Sequence, residues 1–408
     1  MLKNYFKIAI AVLRRRKFFT FISLFGISFT LAILMVATAF IDKVINDKYP
    51  DKKRHRLLYV HKFSKVGKNS MNSNKLSFHF IDHYIGSLNT PVKVAISSDY
   101  NATNTYVNNK KIVINYKYTN ADYWSVLDYD FLEGKPFTLQ QVNNGERVTV
   151  ISEDIKREYF GDTGPVVGKY LEANNERFRI SGVVKNVPVT TFQMYSDIYL
   201  PYTLSKTDYR YKSYIGDYMA ILLAGSKNDI PKMQKEYADM VNKLPIEGAE
   251  FDKMYSSADP YLQSFVNTGN QNRSGMAIAI SALSVFLLII MLLPTLNLVN
   301  INITRIMERS SEIGVRKAFG ASSKTLVYQF LIENLILTLL GGIIGVVLSL
   351  IALSLINNAD LIANLDLSIN ITVLFYALII TLVFGLLSGV YPAWRMSKLN
   401  VVSALKSQ

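Results

Sequence analysis

The sequence predicts a membrane α-helical protein with four transmembrane helices and one large extracytoplasmic α+β domain between helices 1 and 2. Three observations predict it. Four apolar runs free of Lys and Arg are each long enough to cross a bilayer core, which takes roughly 20 residues. The net charge of +14 is gathered in short segments beside those runs. A single long stretch, residues 42–275, has the balanced charge and short-range alternation of a water-soluble domain.

Taken in order, residues 1–17 carry six Lys/Arg and no acid. Leu2, Phe6, Ala9, Ile10 and Leu13 recur with helical spacing, so this segment is expected to lie as an interfacial helix on the cytoplasmic leaflet. The first span is Phe18–Ile41 (residues 18–41). Its basic leader and Ala37-Thr38-Ala39 also fit a cleaved signal, but 24 apolar residues exceed the roughly 7–15 of a signal core. A retained anchor is expected. Residues 42–275 hold 31 basic and 26 acidic side chains. Within them Lys111–Tyr118 alternates, with Ile112, Ile114 and Tyr116 on one face, and Arg147–Ser152 and Arg177–Val184 also read as strands. Glu153–Phe160 and Ile230–Leu244 read as helices, the latter with Asp229 as N-cap and Pro231 in its first turn. Of 25 tyrosines, 21 lie here, and the group Tyr195, Tyr199, Tyr202, Tyr209, Tyr211, Tyr214 and Tyr218 is read as strand packing, a ligand surface being the alternative.

The second span is Met276–Leu298 (residues 276–298), with Pro294 inside it. Residues 299–325 form a cytoplasmic loop, Leu326–Ile356 (326–356) the third span, 357–370 a short external loop, Ile371–Tyr391 (371–391) the fourth span and 392–408 a cytoplasmic tail. Residues 304–325 carry five basic side chains against two acids, and 395–408 three against none. If the spans alternate, every basic segment faces the same side. That is the positive-inside pattern, with both termini cytoplasmic. It also argues against nucleic acid as the partner of the basic charge.

The absence of cysteine excludes disulfides and thiolate chemistry. His79 and His83 stand at i, i+4, but no neighbouring Glu completes a metalloprotease pattern, so no metal is expected. Gly164–Lys169 falls one residue short of a phosphate loop, and Tyr170 stands where Ser/Thr would hold magnesium. A β-turn before a strand is the better reading. Nucleophile-elbow and kinase signatures are also missing, so the chain is not expected to be an enzyme.

The loop Glu308–Ser322 is the informative place. Ser311 can cap a short helix whose first turn holds Glu312, with Arg316 and Lys317 near its end and Gly320 as a left-handed stop. Ser322 or Ser323 then caps the helix of the third span, whose run from Lys324 to Ile356 is about 50 Å long at 1.5 Å per residue. Its cytoplasmic end, with Glu333, must project from the interface or tilt there. Gly341 and Gly345, extended by Ser349, and Gly385 with Gly389 have the spacing that lets helices approach closely, within one chain or across a dimer.

The run ERSSEIGVRKAFGASSKTLVYQFLIEN (Glu308–Asn334) resembles the signature of the FtsX/MacB-type permeases of ABC transporters. The opening Asn4–Lys17 followed by Gly26, and the tail Tyr391–Arg395 with Val402–Leu405, also resemble that family. So do Asn120–Phe137, Val148–Phe160 and Val167–Val184, which are similar to its periplasmic core domain. Residues 43–110 and 200–260 carry little of the likeness. The resemblance implies a permease of the bacterial inner membrane that needs no cofactor of its own. ATP and magnesium would sit on a separate ABC ATPase. It further implies a second permease copy or paralogue, contact with membrane lipids, and room for a periplasmic adaptor and an outer-membrane duct. In this reading Glu308, Arg309, Glu312, Ile313, Gly314, Arg316, Lys317 and Gly320 couple to the ATPase, whose motion passes through the spans to the external domain for export or extraction. The alternatives are a lipoprotein- or lipid-release permease and a division or signalling scaffold that activates a cell-wall hydrolase.

Overall fold

In the computed structural model the described residues are 10–11, 14–15, 17–46, 49–107, 110–161, 164–191, 193–207, 209–266, 274–308, 315, 318–319, 322–359, 362 and 364–397. Two units are present, a helical one within residues 1–42, 280–361 and 366–408, and an α+β one within residues 43–279 with 362–365. The longer helices in chain order are α1 (Lys17–Ile45), α2 (Glu153–Phe160), α3 (Ile230–Asn242), α4 (Tyr261–Val266), α5 (Ser274–Glu308), α6 (Ser323–Asn358) and α7 (Ile371–Ser397).

The strands are β1 (Leu57–Val60), β2 (Phe63–Val66), β3 (Met71–Leu76), β4 (Pro91–Ser98), β5 (Asn101–Val107), β6 (Lys110–Thr119), β7 (Phe131–Gly134), β8 (Val148–Ser152), β9 (Tyr170–Ala173), β10 (Glu176–Val184), β11 (Ile198–Pro201), β12 (Ile215–Gly216), β13 (Tyr218–Ala224) and β14 (Lys253–Ser256). They join into a mixed sheet whose main path runs β14-β2-β3-β13-β4-β6-β11-β8-β10-β7. Antiparallel pairing places Leu57 opposite Leu223, while β6 and β11, and β8 and β10, run parallel. Both faces of the sheet are covered. Leu57, Tyr59, Ile221 and Leu223 belong to one core, and their neighbours Leu58, Val60, Ala220 and Leu222 to the other. Such strands read as continuous apolar runs, because each side of the pleat meets protein.

The strand read at Lys111–Tyr118 is β6, with Ile112 and Ile114 buried and Val113 exposed. Helix α2 begins at Ser152, whose hydroxyl accepts from Ile155 N–H at 3.3 Å, and stops at Gly161 with φ +70°. Asp229, however, does not cap α3. Its carboxylate accepts from Ser226 N–H and Oγ at 2.9 Å, which holds a 3₁₀ turn, Lys227–Asp229, ahead of α3. The extra turn moves the orphan amides upstream, so the cap falls to Ser226. In the segment Gly164–Lys169, Lys169 N–H donates to Val166 O at 3.0 Å with Gly168 at φ +86°, a turn leading into β9.

Among the described residues, three helical stretches are long and apolar enough to cross a membrane: Lys17–Lys43, Val327–Asn358 and Ile371–Val390. Helix α5 adds a shorter apolar stretch, Gly275–Ile290, and its backbone stays helical through Pro294. The helices outrun the apolar runs of the sequence. Thus α5 continues to Glu308, and α7 passes through Pro392 to Ser397. Helix α6 starts at the Ser322 cap, whose hydroxyl accepts from Thr325 N–H at 3.2 Å. On the face of α1 away from its neighbours, Phe18, Phe21, Phe25 and Phe29 are each at least half exposed, an apolar surface that suits lipid.

Candidate functional site

The glycines singled out by spacing stand in two seams inside this chain. At Gly345 of α6 an added Cβ would lie 2.9 Å from Leu31 Cβ and 2.9 Å from Ser28 O of α1. One turn earlier, at Gly341, it would meet Ile27 Cγ2 at 2.7 Å. Around this seam Ile27, Leu31, Leu34 and Met35 of α1 are buried, with Ile336 and Leu337 of α6 and Ala377 of α7. Ser349 is buried one turn further on, its hydroxyl bonded back to Val346 O at 2.7 Å. The second seam joins α7 to α6: a Cβ at Gly385 would overlap the Thr338 side chain, and one at Gly389 would stand 2.5 Å from Asn334 Nδ2. Small residues here replace side-chain layers by near backbone contact, which strengthens dispersion where no hydrophobic effect drives association. Helix α6 is thus the common partner of α1 and α7.

Polar side chains are buried in the part of the helical unit around Asn334 and Gly389. Asn302 of α5 donates to Ser388 O of α7 at 3.4 Å, and Gln329 donates to Glu333 at 3.3 Å along α6. Glu333 is only 4% exposed, so it is enclosed by helices. Of the coupling positions, Glu308 has a described backbone at the end of α5, and its side chain lies outside the described residues. Arg309, Glu312, Ile313, Gly314, Arg316, Lys317 and Gly320 lie outside the described residues, as do residues 1–9, 12–13 and 16 of the interfacial segment 1–17. Val315 and Ala318 are helical, and Phe319 is 88% exposed.

In the α+β unit the motif Asn120–Phe137 builds core. Asn120 Oδ1 accepts from Ile96 and Tyr123 N–H, and its amide donates to Val94 O. Tyr123, Tyr129 and Tyr199 then share a buried hydroxyl network that ends on Met194 O, with Trp124 packed among them. Burial raises all three phenols above their ordinary range. In the tyrosine group Tyr199, Tyr214 and Tyr218 are core residues, Tyr202 stacks on Phe78 at 4.1 Å, and Tyr211 is exposed. His79 and His83 stack on each other at 5.4 Å. Among the described residues no group of three or more His, Asp or Glu is placed to hold a metal.

Two buried polar groups were not legible in the sequence. Lys117 on β6 is fully buried and donates to Gln193 O. Burial first, then the charge of Lys75, pulls it down to about 7. Nearby His61 meets Gln193 Nε2 at 2.6 Å and Ser264 Oγ at 2.9 Å, and burial holds it near 3, so it is neutral. The second group is Asp51, Arg54, Tyr59 and Tyr261. Arg54 Nε donates to Asp51 at 2.8 Å, the Tyr59 hydroxyl donates to the same carboxylate oxygen, and the guanidinium lies 4.0 Å over the Tyr261 ring. Burial pulls Arg54 down, but the charge and hydrogen bond of Asp51 outweigh it and leave the guanidinium above its ordinary value.

Long apolar helices with close-packed seams, joined in sequence to a folded α+β domain, are the parts of a membrane protein with a large folded domain between its first two long helices. The chain belongs to the family described as MacB-like periplasmic core domain, matched over residues 20–239, and carries the FtsX-like permease C-terminal region over residues 284–401. It is an ABC transporter permease of MacB/FtsX type. It is 28% identical over 298 residues to the macrolide export ATP-binding/permease protein MacB of Acinetobacter baylyi, covering 70% of this chain and 41% of that protein. It is 27% identical over 292 residues to the uncharacterized ABC transporter permease YknZ of Bacillus subtilis, covering 70% of this chain and 68% of that one. The chain therefore spans less than half the length of the first of these relatives. A solved structure of the extracellular domain of YknZ from Gram-positive bacteria aligns at 18% identity and TM-score 0.33, covering 45% of this chain and 92% of that domain.

Proposed function

We propose that this chain is the transmembrane subunit of an export system, driven by a separate ABC ATPase and paired with a second permease copy or paralogue. Four spans, α1, α5, α6 and α7, cross the inner membrane with both termini cytoplasmic and residues 42–275 outside. ATP and magnesium belong to the ATPase, and residues 299–325 form the coupling segment. Support comes from the names of the relatives. One joins ATP-binding and permease functions in a protein of which the match covers 41%, and the other is named a permease.

The observation that carries the reading is the role of α6 as common partner. It starts at the Ser322 cap, directly after the basic segment, and holds α1 through Gly341 and Gly345 and α7 through Thr338 and Asn334. Helix α1 continues in sequence to the first strands of the α+β domain. A push on the segment before Ser322 would travel along α6, about 54 Å of helix at 1.5 Å per residue, and reach the domain through α1.

Docking is tested on the coupling segment. Gly314→Trp should uncouple ATP hydrolysis from transport, and Arg316→Glu should weaken ATPase copurification, more so at high salt, since exposed pairs are screened. Unchanged copurification and hydrolysis in both variants would remove the coupling role. The same pull-down separates the alternatives. Recovery of a cell-wall hydrolase without an ATPase would favour the scaffold, and bound lipoprotein would favour release. Topology is tested separately with single cysteines, clean because the chain has none. An impermeant maleimide should label Tyr106→Cys in intact cells and leave Phe319→Cys unlabelled. The reverse would overturn the orientation.

A further inference from the structure

The α+β unit follows α1, which ends at Ile45, and precedes α5, which begins at Ser274; it also takes in residues 362–365 between α6 and α7. The segment after α1 and the start of α4 share a buried quartet of side chains. Arg54 is 7% exposed, Asp51 and Tyr59 are fully buried, and Tyr261 is 5% exposed. The Arg54 guanidinium faces three ways. Its Nη1 donates to Asn46 O at 3.0 Å, one residue past α1. Its Nε donates to the Asp51 carboxylate, which also takes the hydroxyl of Tyr59 on β1. Its flat face covers Tyr261 in the first turn of α4.

Helix α4 in turn is seated on β1 along one side. Tyr261 packs edge-on against Tyr59 at 5.2 Å, Ser264 bonds His61, and Phe265 lies 5.5 Å from the His61 ring, a set of contacts at i, i+3 and i+4. The backbone of Tyr59 exchanges both hydrogen bonds with Asp259, just before α4. At the far end of α4, Val266 O would stand 2.6 Å from a Cβ on Gly275, so the first turn of α5 abuts it directly. A charge-paired guanidinium stacked on an aromatic ring is directional, because its planar fork fixes the orientation of each partner.

We propose that Arg54 is a positioning residue that welds the outlet of α1, strand β1 and the inlet of α5 into one unit, so that the two helices drive the domain through a single joint. Its functional side rests on the coupling reading above. The joint itself does not. Displacement of α1 relative to α5 then reaches the domain as a tilt of the whole joint, and independent flexing of either connection is suppressed.

Hydrogen exchange on the full-length chain in lipid nanodiscs tests this. In the wild type the α4 amides should exchange as slowly as those of β1. Arg54→Lys keeps the charge opposite Asp51 but loses the flat stack and the reach to Asn46. Tyr261→Leu removes the ring. In either variant the α4 amides should exchange at least tenfold faster while β8 stays at its wild-type rate. Wild-type α4 exchanging at loop rates, or both variants exchanging as wild type, would overturn the joint. If a variant fails to fold, the wild-type comparison of α4 with β1 still decides. With the copurified ATPase, ATP and vanadate should shift exchange in Asn46–Arg54 and in α4 together in the wild type, and in only one of them in Arg54→Lys. A wild type that shows no nucleotide-dependent shift would sink the coupling reading and leave the α4 comparison to judge the joint.

Discussion

Replacing Gly345 with leucine is expected to break the packing of α1 on α6 and leave the chain unable to reach its folded helical arrangement. A Cβ at this position meets two groups that cannot turn away, the Leu31 Cβ and the Ser28 carbonyl of α1, each at 2.9 Å. Neither is the loose end of a side chain, so the helices must separate. Separation forfeits the close contacts of Ile27 and Leu31, and overpacking of this kind costs about 1–3 kcal/mol even where partial relaxation is possible. Gly345→Ala should already lower the melting point of the detergent-solubilised chain, and Gly345→Leu should remove the monodisperse species. The order of damage is also expected. Gly385→Leu runs into the branched Thr338 side chain and comes next, and Gly389→Leu meets the movable amide of Asn334 and comes last. Gly26 is the internal control. It lies on the same helix α1, has nothing within 4 Å of an added Cβ, and should accept leucine with no loss. A Gly345→Leu chain that melts like the wild type, or like Gly26→Leu, would show that the seam is not close-packed.

The spacing of these glycines was visible in the sequence, and their partners were not. A repeat of small residues marks a face that can be approached. Which helix approaches is decided by Ile27 and Leu31, which look like any other apolar residues of α1. Elements with local signals were legible to the residue for α2 and to within one residue at each end for β6 and β10. Helix α2 lies between a serine cap and a glycine stop, and β6 and β10 alternate. Strands β1 and β13, Leu-Leu-Tyr-Val and Tyr-Met-Ala-Ile-Leu-Leu-Ala, gave no alternation because both faces are buried. The charge-rich run Asp51–Arg56 carries no local signal of burial, yet it contains the buried Asp51–Arg54 pair. Composition does not reveal that pair, because its burial depends on Tyr59 and Tyr261, eight and about 200 positions from Asp51 along the chain. Lys117 was hidden for a related reason. Reading Ile112, Ile114 and Tyr116 as the buried face of β6 assigns Lys117 to water, whereas the second face of this sheet is covered as well.

That buried lysine gives the domain a pH response above about pH 7. In the folded chain burial, reinforced by the Lys75 charge and opposed by Asp99, holds Lys117 near 7. In the unfolded chain a lysine titrates near 10.4. Between those values the unfolded chain holds one proton more than the folded one, so stability rises with pH across that window, at up to about 1.4 kcal/mol per pH unit. Below about 7 both states are protonated and this group contributes no slope. His61 adds almost none above about pH 7.5, because by then it is neutral in both states. Lys117→Met keeps the length of the side chain and removes the cost of burying an amine, at the loss of one hydrogen bond to Gln193 O worth about 1 kcal/mol. Holding the amine neutral costs up to about 1.4 kcal/mol for each pH unit that the solution lies below about 10.4, which at pH 7.5 exceeds the value of that bond. The variant is therefore expected to be more stable than the wild type at pH 7.5 and to lose the rise in stability between pH 7.5 and 9.5. Urea unfolding of the full chain in detergent, followed by the fluorescence of Trp124 in the adjoining core, measures both. A wild-type stability that falls across this range, or a Lys117→Met chain that retains the wild-type slope, would mean that Lys117 is charged inside the folded domain and that Gln193 O and its surroundings solvate the ammonium.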